Sequence, residues 1–171
     1  IMIRNTDYTD YFMYTVGPLA VIYFLYELAK VTGKPAKNKL IAAFIFIVFS
    51  VIFWAFFEQS GGSLSLFAEK NLDFNLLGMT IDPNVVNNTS NAFFVIIFSP
   101  LLGLLWIWMA GRRIEPNTVV KFGLGFLFLA AAFYVFYTTR FFADEKGITS
   151  LNVFTLAYLI ITFGELCLSP I

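Results

Sequence analysis

Phe53-Trp54-Ala55-Phe56-Phe57-Glu58-Gln59-Ser60-Gly61-Gly62-Ser63-Leu64-Ser65-Leu66-Phe67-Ala68-Glu69 is the stretch whose reading decides the fold. It closes an apolar run from Leu40 to Phe57 in which Ser50 is the only polar residue. At about 1.5 Å rise per residue, a helical run of that length covers roughly 27 Å, close to the hydrocarbon thickness of a bilayer. Glu58 and Gln59 then arrive with no spacer, and Gly61-Gly62 follows. A carboxylate at the end of a spanning run, next to two helix-weakening glycines, is costly in lipid and is kept where something binds. The alternative reading is that Glu58 marks the helix end at the water interface.

The rest of the composition agrees with a membrane. Hydrophobic residues make up 59% of the 171, aromatics 19% and charged residues 13%, against about 25% charged in soluble domains. The formal net charge is zero, so no basic field attracts nucleic acid. His is absent, and the single Cys, Cys167, lies in an apolar helix. The usual zinc sites, a Cys/His dyad and an intrachain disulfide are therefore excluded, and an integral-membrane enzyme lacks its nucleophile-base pair or metal ligands. The first ten residues are polar and carry Arg4, Asp7 and Asp10, unlike a cleavable signal. The opening Ile1 before Met2, and a helical pattern still running at Ile171, are expected of a piece of a larger membrane protein.

In chain order, Tyr11 to Tyr26 is an uncharged run interrupted by Gly17-Pro18, which should weaken or kink a helix. Residues 30–39 form a basic loop with four lysines and no acid. A second helix is expected over 39–60, or onward to Phe67. A loop is expected over 69–90, whose Asn-rich end, Asn84 to Asn91, is turn-forming and caps the next helix. A third helix is expected from Asn88 to Ala110 with Pro100 inside, a fourth over 118–140, and a fifth from Ser150 or Leu151 to the end. The loops carry +4 over 30–39, −2 over 69–83, +2 over 111–121 and zero over 140–146. Short loops rich in Lys and Arg stay cytoplasmic, so loops 30–39 and 111–121 are expected inside and the other two outside.

Helical phase picks out the chemistry. In the fifth helix Thr155, Tyr158, Thr162, Glu165 and Ser169 form one polar stripe of a 3.6-residue helix. Such a stripe must face protein or a water-filled cavity. Glu165 falls about 14 residues, or roughly 21 Å, below the outer end, well inside the membrane. Its simpler role would be a hydrogen bond between helices. In the third helix Asn91, Ser99 and Gly103 share a face, although Asn91 could equally be a cap. Trp54 and Glu58 are one turn apart in the second helix, giving an aromatic wall beside a carboxylate, or an interfacial Trp beside it. The fourth helix has no polar side chain between Phe122 and Phe136 except Tyr134, and Gly123, Gly125 and Ala130 to Ala132 suit close backbone packing, so it reads as scaffold. Two buried acids, one amide and an aromatic wall suit a zwitterionic or cationic ligand. A desolvated carboxyl can also exchange a proton, and the proton then competes with a ligand amine for the same group.

These residues also resemble a known family. Phe53-Trp54-Ala55-x-x-Glu58-Gln59-x-Gly61-x-Ser63-Leu64, Asn91 with Ser99-Pro100, Lys121-Phe122-x-Leu124-Gly125 and Gly164-Glu165-Leu166-x-Leu168-Ser169-Pro170 are similar, in order, to the proton-dependent oligopeptide transporters of the major facilitator superfamily. The resemblance implies an all-α polytopic membrane helix bundle, part of the C-terminal half of a major facilitator fold. It implies two parts: residues 1–38, an inserted linker helix with its basic cytoplasmic loop, and residues 39–171, the first four helices of the C-terminal bundle. It further implies a multi-pass cell-membrane carrier, working by alternating access, that moves di- and tripeptides with protons as coupling ion and no other cofactor. Glu165 and Asn91 would hold the peptide's amino end and Trp54 would line its pocket. Glu58 would pair with basic groups of an N-terminal bundle absent from this chain and take part, with Glu165, in proton coupling or gating. Half a binding site moves nothing alone. A carrier of nitrate or another small solute on the same fold is the alternative, opposed by two intramembrane acids and no intramembrane base.

Overall fold

The computed structural model describes residues 6–168, with side chains from residue 8. Helices α1 (Thr6–Lys30), α2 (Lys34–Phe57), α4 (Pro83–Gly111), α5 (Thr118–Thr138) and α6 (Leu151–Leu168) are joined by a short helix α3 (Ser63–Asn71) and a hairpin of β1 (Asn75–Leu76) and β2 (Met79–Thr80). Among the described residues, five helical stretches are long and apolar enough to cross a membrane. The chain falls into two compact units, one ending at Val51 and one beginning at Ile52.

In the first unit α1 runs unbroken through Pro18. Pro18 does not end the helix, because one missing N–H removes one ladder bond while the rest of the turn persists. Gly33, at φ +104°, turns the chain into α2. The basic segment is therefore mostly helical. Pro35 falls in the first turn of α2, where its missing N–H costs nothing, so the helix starts at Lys34 and not at residue 39. Phe24 and Phe44 stack at 4.4 Å between ring centroids.

The second unit holds the core. Phe53, Ala68, Ala132, Leu151 and Phe154 are fully buried, with Tyr158 and Ile161 nearly so. The α-helix of α2 stops at Phe57 and tightens into a 3₁₀ turn, Glu58–Gly61, before Gly62 separates it from α3. Gln59 ties the two together: its amide donates to the Ala55 carbonyl at 3.1 Å and its Oε1 accepts from Ser63 at 2.9 Å.

The segment 69–90, expected as a loop, is structured. Leu77 (φ 51°) and Gly78 (φ 86°) close the hairpin with both central residues left-handed, the twist that suits a two-residue connection. Leu77 tolerates this because its N–H donates to Asn152 Oδ1 at 2.9 Å, and the Asn152 amide donates to the Asn75 carbonyl at 3.2 Å. Asp73 Oδ1 accepts from Leu151 N–H at 3.1 Å, satisfying a free donor at the start of α6. This connection between α3 and α4 is thus clasped to α6. Helix α4 begins at Pro83, capped by Asp82, whose Oδ1 accepts from Asn84 N–H at 2.8 Å. The Asn-rich run is helical, which corrects the expected start at Asn88.

Helix α5 packs on α6 through its small residues. Lys121, Gly125, Leu129 and Ala132 are its buried face. A Cβ added at Gly164 would lie 2.9 Å from the Gly125 carbonyl oxygen, so the two backbones touch there. Gly123, expected to join this packing, faces open space. In the first turn of α5, Lys121 is buried, its Nζ 2.5 Å from Glu115 Oε1 and 4.7 Å from the centre of the Trp106 ring.

Candidate functional site

The site lies where α4 runs beside α6. On α6 the period of the polar stripe brings Tyr158 and Thr162, both buried, and half-buried Glu165 toward α4. On α4, Asn87 and Asn91 are one turn apart and face them. The Asn91 amide nitrogen donates to Glu165 Oε2 at 2.8 Å and to Thr162 Oγ1 at 3.2 Å. Thr162 donates to the Tyr158 carbonyl at 2.7 Å, and the Tyr158 hydroxyl donates to Asn87 Oδ1 at 2.5 Å. Asn87 completes the chain by donating to the Ser60 carbonyl at 2.9 Å. The Asn91–Glu165 bond, at 2.8 Å, is the shorter of the two made by the Asn91 amide and restrains both side chains.

A cavity of about 230 Å³ opens beside this seam. Glu58, Ser60, Asn87, Asn88, Asn91 and Tyr158 supply its polar wall; Phe57, Leu64, Phe136 and Ile161 supply apolar wall. A few convergent polar groups in a mostly preformed hollow are the usual make-up of a small-molecule site. Glu58, two residues before the Ser60 carbonyl, is exposed on the 3₁₀ turn.

The structure therefore brings Asn91 and Glu165 together and puts Asn91 and Glu58 on the cavity wall, whereas Glu165 is outside the cavity lining. Trp54 is separate from this lining: it is 40% exposed and packs edge-on against Phe53 and Phe57, at 5.7 and 5.1 Å between centroids. The cap reading of Asn91 is overturned, since Asp82 caps α4 and Asn91 lies two turns inside it. Ser99 is exposed and Gly103 meets no neighbour, so their shared face with Asn91 stops contributing to the site below Asn91. Thr155 bonds only its own helix, at the Leu151 carbonyl, among the bonds described for it. Ser169 lies outside the described residues. Asn87 was missed by the sequence reading. Its signal was the four-residue spacing from Asn91, which puts both amides on one helical face.

A bundle of membrane-spanning helices with a carboxylate-amide seam inside it and a half-polar cavity alongside has the make-up of a membrane carrier. The chain belongs to the POT family (PTR2), whose description matches residues 5–171. It is 34% identical over 163 residues to the peptide transporter YePEPT of Yersinia enterocolitica, covering 93% of this chain and 32% of that protein. It is 31% identical over 154 residues to dipeptide and tripeptide permease B of Aeromonas hydrophila, covering 90% of this chain and 30% of that one. The crystal structure of the peptide transporter POT in complex with sulfate superposes with a TM-score of 0.75 at 28% identity, over 99% of this chain and 35% of its own. Tetrameric PepTSo2 superposes with a TM-score of 0.76 at 29% identity, over 98% and 34%. The chain thus spans about a third of the length of the curated relatives it matches. Its fold is an all-α, multi-pass membrane helix bundle of the major facilitator type.

Proposed function

We propose that this chain serves in a secondary active carrier that moves di- and tripeptides together with protons by alternating access. The observation that carries the reading is the Asn91–Glu165 bond, at 2.8 Å, between two spanning helices beside the cavity. A carboxylate with a neutral amide at its side suits a peptide ammonium: the acid pairs with the charge and the amide takes a further hydrogen bond. Protonation of Glu165 neutralises that partner. A proton and a peptide amine therefore compete for one group, and a carrier whose two orientations differ in proton affinity converts that competition into coupled movement.

Glu58 has a different task in this reading. It is exposed on the 3₁₀ turn of α2, where a basic group from an N-terminal bundle reaches it when the carrier closes, so it acts as a gate. Trp54, one turn earlier on α2 and partly exposed, offers the peptide an aromatic wall supplied from outside the described cavity. The basic segments 30–39 and 111–121 stay on the cytoplasmic side. The bilayer is the solvent for the apolar outer faces.

The test is uptake of radiolabelled dialanine by the full-length carrier in vesicles under an inward proton gradient. Glu165→Gln abolishes accumulation above equilibrium; normal accumulation in that variant overturns the reading. Glu58→Gln impairs proton-driven uptake more than counterflow exchange, and equal loss in both removes its gating role. Competition by unlabelled dialanine and none by nitrate separates peptide from anion transport.

A further inference from the structure

The deepest polar pair of the seam is not the one to which the proposed function assigns the peptide's amino group. Asn87 and Tyr158 are 2% and 3% exposed, deeper than Asn91 and Glu165. The Tyr158 ring is held between Phe136 and Phe154, at 5.7 and 5.2 Å between centroids. Its hydroxyl is aimed at Asn87 Oδ1. The other end of the Asn87 amide is committed to the Ser60 carbonyl, in the 3₁₀ turn that bears Glu58.

We infer that Asn87 and Tyr158 are a positioning pair that sets where the Glu58 turn stands against the Asn91–Glu165 contact. The inference rests on the peptide-carrier reading and adds residues to it. Three observations carry it. First, the Asn87 side chain bonds both the 3₁₀ turn and α6. The end of α2 is not regular helix there, so the Ser60 carbonyl is available to an outside donor. Second, Tyr158 connects onward through its own carbonyl: Thr162 donates to it and accepts from Asn91, whose amide also holds Glu165. Two hydrogen-bonded segments, one from the Ser60 carbonyl through Asn87 to the Tyr158 hydroxyl and one from the Tyr158 carbonyl through Thr162 and Asn91 to Glu165, are thus joined covalently through Tyr158. Third, both side chains are buried, and the tyrosine is wedged between rings, so neither can change partner without leaving a buried polar atom unpaired. Both residues of the pair line the cavity; each of their side-chain polar atoms makes one described hydrogen bond, and their effect on the peptide runs through the placement of Asn91 and Glu165.

A positioning role and a merely structural role differ in what they change. Loss of a structural contact lowers the amount of folded carrier and leaves each folded molecule with its normal affinity. Loss of a positioning contact raises the KM for peptide in the molecules that do fold.

The experiment measures dialanine uptake by the full-length carrier in vesicles, normalised to the folded carrier present. The variants are Tyr158→Phe, Asn87→Leu and the two combined. Tyr158→Phe removes one oxygen and is expected to raise KM about fivefold to tenfold, the scale of one buried hydrogen bond. Asn87→Leu loses both bonds and is expected to raise it further. The combined variant is expected to match Asn87→Leu, because partners in one contact are not additive. A KM within twofold of wild type in Tyr158→Phe, with only the folded amount reduced, overturns the inference. Effects that multiply in the combined variant overturn it as well. Where Asn87→Leu fails to fold, Tyr158→Phe alone decides. Wild-type carrier that takes up no dialanine overturns the peptide reading and this inference with it. Wild-type uptake with unaltered KM in Tyr158→Phe overturns this inference alone.

Discussion

Helix α6 has two flanks built on opposite plans. Toward α5 the contact is dry and steric: Gly164 meets the Gly125 backbone, and from Gly125 to Ala132 the α5 sequence has no polar side chain. Toward α4 the contact adds to an aromatic pair, Phe98 and Phe163, a row of amides, hydroxyls and a carboxylate, from Asn87 and Tyr158 to Asn91 and Glu165. Lipid tails are as apolar as Leu, so hydrophobicity alone gives spanning helices little reason to associate. Two remedies remain, close backbone approach and hydrogen bonds, and α6 uses one on each side. The difference has a functional consequence. A steric seam has one arrangement and holds. At the half-buried Asn91–Glu165 end, a polar seam can exchange a protein partner for a ligand or a proton at small net cost, which is what the proposed carrier would require of the face that works.

The largest expected effect breaks the dry flank. A Cβ at Gly164 lies 2.9 Å from the Gly125 oxygen, 3.3 Å from Phe128 Cβ and 3.5 Å from Leu129 N, and the first and last of these are backbone. Gly164→Ala therefore separates the helices, at about 1–3 kcal/mol typical of overpacking, and Gly164→Val costs more. At Gly125 the nearest obstacle is the end of the Leu168 side chain, which can swing aside, although the Gly164 oxygen at 3.1 Å remains. Gly125→Ala is expected to cost less than Gly164→Ala. Gly123→Ala meets open space and gains helix propensity, so it is expected to be neutral or stabilising by up to about 1 kcal/mol. Thermal unfolding of the purified full-length carrier in detergent checks the order. Equal Tm values for Gly164→Ala and Gly123→Ala would remove the steric plan from the comparison.

A smaller effect is expected where the connection between α3 and α4 grips α6. Asp73 Oδ1 accepts from both Leu151 and Asn75 N–H groups at 3.1 Å. Asp73→Ala leaves both without that acceptor and is expected to cost about 1 kcal/mol, as loss of a helix-cap residue does. Asp73→Asn keeps an acceptor oxygen and is expected to recover most of it. Both are read as Tm changes with the peptide KM unchanged, since the clasp is two turns from Tyr158 and further from Glu165.

These contrasts separate what the sequence could disclose from what it could not. The run from Leu40 to Phe57 and the stripe through Tyr158, Thr162 and Glu165 were legible because lipid permits few polar residues, so each one states which way its helix faces. The packing role of Gly125 and Ala132 was legible for the same reason, whereas Gly123, only two residues away, points to another face. The start of α4 was misread because Asn favours turns, while the local signal that decides it, Asp82 before Pro83, is a cap with proline in the first turn. The hairpin closes on Leu77 at positive φ, a conformation its residue type argues against, and it is held by Asn152 from a helix 75 positions away. The 3₁₀ turn at Glu58 was hidden for a related reason, since its carbonyl partner Asn87 is on another helix. Spacing identified Asn91 and Glu165 as polar residues in spanning helices. Their residue types suggested one zwitterionic or cationic ligand, and the family resemblance implied that both hold its amino end; the contact itself, across 74 positions, is tertiary.

The finest test asks whether the polar flank is as replaceable as the comparison requires. Thr162 is 1% exposed, and its hydroxyl does two things: it donates to the Tyr158 carbonyl at 2.7 Å and accepts from Asn91 at 3.2 Å. The first bond is an addition to a carbonyl of the same helix. The second is the longer of the two bonds made by the Asn91 amide, whose stronger partner is the Glu165 carboxylate at 2.8 Å. Thr162→Val keeps the branched shape and removes the hydroxyl. Asn91 then keeps Glu165 but loses the restraint that fixes its angle, so the expected change is a two- to threefold rise in peptide KM, or roughly 0.5 kcal/mol. The Tm is expected to stay near wild type, because the steric flank still holds α6 in place. A loss of folded carrier as large as that of Gly164→Ala would mean that the polar seam is itself scaffold, with no freedom left to trade its bonds for a ligand.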